Sequence, residues 1–75
     1  MIEIKLPCEI GMRVKNKGNG SEWRIIGYEI RGSGIPFDTS YRAMAQAIDV
    51  YDNNNQVLID SQNGMFPDNI EIIGY

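Results

Sequence analysis

Phe66-Pro67-Asp68-Asn69-Ile70-Glu71-Ile72-Ile73 reads as a tight turn feeding a short alternating strand, and the same grammar recurs along the whole chain. Period-two alternation of apolar and polar residues, broken by Gly, Asn and Pro, is the pattern of half-buried strands joined by turns. Residues 2–6 alternate Ile2, Ile4 and Leu6 with Glu3 and Lys5 and stop at Pro7. Residues 12–16 put Met12 and Val14 on one face and Arg13 and Lys15, with Lys17 beyond, on the other. A loop rich in Gly and Asn, 17–21, suits a hairpin into the longest predicted strand, 23–30, where Gly27 marks a bulge or bend.

Residues 31–36 read as a flexible connection from their glycines and proline. Asp38, Thr39 and Ser40 are capping residues, and Tyr41-Arg42-Ala43-Met44-Ala45-Gln46-Ala47 is made mainly of good helix formers, so a short helix is expected at about 39–46. Residues 48–51 and 56–59 are then strands of a hairpin across Asp52-Asn53-Asn54-Asn55. Asn63-Gly64 marks a further tight turn, and Pro67-Asp68-Asn69 a single helical turn before the last strand, 70–73. Five to six short antiparallel strands with glycine-rich turns favour a mainly β single domain over 1–75, closed as a small barrel, because closure removes unpaired edges.

This arrangement resembles the SH3-like barrel superfamily. The resemblance rests on Gly11-Met12-Arg13-Val14, the glycine loop, the 23–30 strand, the 48–59 hairpin and the 67–73 turn and closing strand. The segment from Gly11 to Gly27 is also similar to the KOW pattern of transcription and ribosomal factors, and residues 38–47 would be an insertion in either family. The lone Trp23 and the lack of an early aromatic-acidic motif depart from signalling SH3 domains. The resemblance therefore implies architecture and not the binding of proline-rich peptides.

At 75 residues the core must be small, and self-association often supplements such cores. Cys8 is the sole cysteine, so no disulfide forms within the chain, and one unpaired thiol fits a reducing compartment. With neither a signal-like N-terminus nor a long apolar run, a cytoplasmic location is expected. The chain looks like the small accessory products of bacterial and phage genomes. Net charge is −3, segregated in sequence: six of seven basic residues lie in 1–31 and six of ten acids in 32–75.

Chemistry-bearing motifs are sparse. The chain has no histidine, which removes the commonest general base and the usual partner for a nucleophilic Cys8. One cysteine cannot supply a zinc site, and no cofactor is expected. Residues 52–56 carry oxygens in the manner of a calcium loop, but Val57 stands where glycine is required and Asn63 where the bidentate Glu belongs. Gly18-Asn19-Gly20 and Gly32-Ser33-Gly34 lack the lysine and helix of a phosphate loop. An enzyme is not expected.

Two surfaces are candidates for binding. If Ile26, Tyr28 and Ile30 face the core, strict alternation turns Trp23 and Ile25 outward unless the bulge near Gly27 resets the register. With Tyr41 they would form a protein-binding patch, for another protein or a second copy. Arg13, Lys15, Lys17 and Arg24, near Trp23, could instead hold a nucleic-acid backbone, although the acidic balance opposes it. A third expectation is an inhibitor of phage type whose acidic 49–71 segment imitates nucleic acid.

Overall fold

A computed structural model describes residues 5–32, 41–62 and 64–75. They form one five-stranded antiparallel sheet: β1 (Arg13–Asn16), β2 (Glu22–Gly32), β3 (Tyr41–Asp49), β4 (Gln56–Asp60) and β5 (Ile70–Gly74). The spatial order is β4-β3-β2-β1-β5, so the chain runs as a meander until β5 returns to the far side of β1. Among the described residues no ladder joins β4 to β5. The expected closure into a barrel is thus not made by hydrogen bonds here.

The β1–β2 hairpin follows from its turn residues. Asn16 accepts from the Gly20 amide at 2.7 Å through its carbonyl and from the Gly18 amide at 2.8 Å through its side chain. Gly20, at φ +74°, supplies the left-handed step. Asp49 and Asp52 shape the β3–β4 turn similarly, their carboxylates accepting from the amides of Tyr51 and Asn54 at 2.8 and 3.0 Å. The single turn before β5 is also present, closed by the Ile70 amide on the Pro67 carbonyl at 2.9 Å. At the 62–65 turn, Gln62 and Met65 exchange backbone hydrogen bonds in both directions.

Two expectations are corrected. Residues 41–46 are not helical but form most of β3, and residues 39–40 lie outside the described residues. A helix would place alanines at a 3.6-residue period, whereas Ala43, Ala45 and Ala47 are buried at a period of two. They sit opposite Ile30, Tyr28 and Ile25 of β2, with Ile59 and Val57 of β4 flanking Ala45 and Ala47 on the other side. Pairing along both edges outweighs the helix propensity of alanine, which is worth only tenths of a kcal/mol per residue. Of the predicted strand 2–6, Lys5 and Leu6 are irregular and 2–4 lie outside the described residues.

The core consists of Val14, Trp23, Ile25, Ala45, Ala47 and Ile59, covered by Cys8, Tyr28, Val57, Phe66 and Ile70. Among the described residues only Val14 and Ile25 are large side chains with almost no accessible surface. Beside this small interior, ten large apolar side chains of the described residues are exposed, among them Leu6, Ile10, Leu58 and Ile72.

Candidate interaction surface

The register of β2 decides which sequence-predicted residues can touch a partner. Ile25 pairs with Ala47 and Gly27 with Gln46, leaving Ile26 without a partner on β3. This one-residue bulge lets Trp23 and Ile25 face inward before it and Tyr28 face inward after it. Ile26 itself is 43% exposed. Trp23 is 9% exposed and Ile25 is fully buried, so the outward patch expected at these residues does not exist. The indole N–H of Trp23 donates to Ser21 Oγ at 3.1 Å, as a buried indole requires. The backbone of Tyr41 opens β3, and its side chain lies outside the described residues.

The basic residues do share the outer face, but acids lie among them. Lys15 sits between Glu22 of β2 and Glu71 of β5 in the ladder. Arg13 is 3.8 Å from Glu22, which also accepts from the Tyr51 hydroxyl at 2.9 Å. That bond holds the Tyr51 phenol above its ordinary pKa. Arg24 Nη1 donates to the carbonyl of Gly11 at 2.8 Å. Lys17 is exposed in the turn and its amide donates to the Asn69 carbonyl at 2.7 Å. In the acidic segment, Asp60 meets Arg42 at 3.3 Å, while Asp49 and Asp52 cap the hairpin turn as described.

A surface that sequence patterns did not single out lies on the segment before β1. Leu6, Pro7, Cys8, Glu9, Ile10, Met12 and Ile72 line an open apolar groove of about 520 Å³. Glu9 is the one acidic residue in this lining. Leu6, Ile10 and Ile72 are 46%, 60% and 43% exposed.

The segment is irregular yet firmly attached. The Gly11 amide donates to the Ile25 carbonyl at 2.8 Å and the Ile25 amide to the Met12 carbonyl at 2.9 Å. The Tyr28 hydroxyl donates to the Cys8 carbonyl at 2.8 Å and lies 3.3 Å from both the amide and Sγ of Cys8. Burial, reinforced by the side-chain bond to Cys8, raises the Tyr28 pKa far above that of an ordinary phenol. Tyr75 donates to Glu9, and that bond raises its pKa as well. In the sequence Leu6 reads as the end of the expected strand 2–6, and Ile10 beyond Pro7 belongs to no expected strand.

Among the described residues, no group of three or more Cys, Asp or Glu side chains is placed to hold a metal ion. Among the same residues no helix is long and apolar enough to cross a membrane. Comparison of the chain with protein families, with curated proteins and with solved structures returned no match.

Proposed function

We propose that this protein is a non-enzymatic protein-binding module of SH3-like architecture, using the groove of the 6–12 segment and Ile72 as its contact surface. The strand order, with β5 returned beside β1 after a single turn, supports the SH3-like reading. The observation that carries the binding reading is the exposure of Leu6, Ile10 and Ile72 around one concave apolar site. Such a cluster is costly to leave in water and typical of binding surfaces. The occupant is a segment of another protein that offers aliphatic side chains and a basic residue. Glu9 in the lining and the net charge of −3 both favour a positively charged partner.

Photo-crosslinking from position 10 in nuclease-treated cell lysate tests this. A heterologous polypeptide captured by the otherwise native chain and lost with Ile72→Asp is the expected result. Its recognition sequence should contain a Lys or Arg beside aliphatic residues. Capture of no polypeptide overturns the reading. In a parallel lysate without nuclease, recovery of nucleic acid that disappears with Arg13→Glu transfers function to the basic outer face.

A further inference from the structure

The outer edge of β4 is a strand edge whose free groups are self-complementary. The Asp49 amide donates to the Asn55 carbonyl at 2.9 Å and the Ser61 amide to the Ala43 carbonyl at 3.0 Å. In an antiparallel ladder the bonding residues alternate, so 55, 57, 59 and 61 bond toward β3. The N–H and C=O groups of Gln56, Leu58 and Asp60 therefore point away from the sheet. Among the described residues nothing pairs with them.

We propose that this edge pairs antiparallel with the β4 edge of a second copy, about a twofold axis through Leu58. The three outward-facing residues are symmetric about Leu58. A dyad there sets Leu58 against its own copy, Gln56 against the copy's Asp60, and Asp60 against the copy's Gln56, giving every outward backbone group a partner. The side chains agree with that register. On the outer face Leu58, 48% exposed, meets itself, and the Gln56 amide lies opposite a carboxylate to which it can donate. No like charges oppose each other. On the inner face Val57 lies against the copy's Ile59, which extends the core across the boundary. Natural edges are protected by Lys, Pro or bulges, and Gln56-Val57-Leu58-Ile59-Asp60 contains none of them. The small core gives such pairing a thermodynamic reason. The edge is separate from the groove lined by Leu6, Ile10 and Ile72, so each surface can fail alone.

Sedimentation equilibrium of the full chain should give twice the 8.5 kDa monomer mass as concentration rises. Leu58→Lys, which sets like charges together at the axis, should return it to 8.5 kDa with an unchanged β-type circular dichroism spectrum. Amide exchange on the native chain gives a readout that needs no variant. Protection at Leu58 and Asp60 should rise with protein concentration, while Val57 and Ile59 stay protected throughout. A monomer at every concentration, a dimer that persists in Leu58→Lys, or concentration-independent protection at Leu58 and Asp60 overturns the proposal.

Discussion

Tyr28 on β2 holds the carbonyl of Cys8, twenty residues earlier in sequence, at 2.8 Å. The bond ties an irregular segment to the sheet, so the groove inherits its shape from a strand that does not line it. It is also a stability element with a pH signature. The Tyr28 phenol is raised in the folded chain by burial first and by Cys8 second, while in the unfolded chain it titrates near 10.

Its contribution is therefore complete below pH 10 and is lost as pH climbs above that value toward the higher folded one. Tyr28→Phe should cost about 1 kcal/mol at neutral pH, the net worth of one hydrogen bond. Thermal melts from neutral to alkaline pH should show the native chain losing stability above pH 10 more steeply than Tyr28→Phe. Tyr51 and Tyr75 are raised by Glu22 and Glu9 in both proteins, so the difference isolates Tyr28. Parallel curves would remove Tyr28 as the anchor.

Trp23 should fluoresce as a shielded indole, with emission shifted to short wavelength and weak quenching by iodide. Trp23→Ala removes a core side chain, a change that costs about 3–5 kcal/mol. A domain of this size has a comparable total stability, about 3–5 kcal/mol. Circular dichroism should consequently show a largely unfolded variant, and a folded variant with lost binding would return Trp23 to the surface.

Ala45 is fully buried between Tyr28 of β2 and Ile59 of β4. Ala45→Leu should destabilise by about 1–3 kcal/mol through overpacking, measured by urea denaturation. On a solvent-exposed helix face the same exchange would be nearly neutral by propensity. The size of the effect thus separates the buried strand position from an exposed helical one.

Two glycines at nearly the same φ give an internal control. Gly20 at +74° has open space where a Cβ would stand, whereas Gly64 at +75° would place one 2.9 Å from the Cβ of Lys5. Gly20→Ala should cost only the left-handed backbone penalty, about 1–2 kcal/mol. Gly64→Ala should cost more in the same urea titration, since the chain at Lys5 must also move. Equal costs would mean that Lys5 does not pack there.

The turns were the most legible part of the chain, because Asn16, Gly20, Asp49, Asp52 and Pro67 each act through local chemistry that needs no knowledge of the fold. β1, β2 and β4 were legible from period two, to within one or two residues at their ends. β3 was not. Its alanines are neutral to strand faces and favour helix in isolation, so only pairing with β2 and β4 determines their state. The inward direction of Trp23 and Ile25 depended on whether Ile26 was counted in the ladder or passed over by it. That is a matter of one residue's backbone, invisible to composition. The groove escaped notice because Leu6 and Ile10 belong to no regular element, and Ile72 reaches them from the other end of the chain.

The bulge at Ile26 makes β2 a strand with two phases. Upstream of it the odd-numbered Trp23 and Ile25 are interior, and downstream the even-numbered Tyr28 packs against the core. Deleting that single residue would make β2 an unbroken alternation with Trp23, Ile25 and Tyr28 still inward, because the ladder already passes over it. Keeping Ile26 but drawing it into the ladder would instead turn one half of the strand inside out relative to the other. A drifting lineage could exchange Ile26 for almost any residue, or lose the position, without inverting either half.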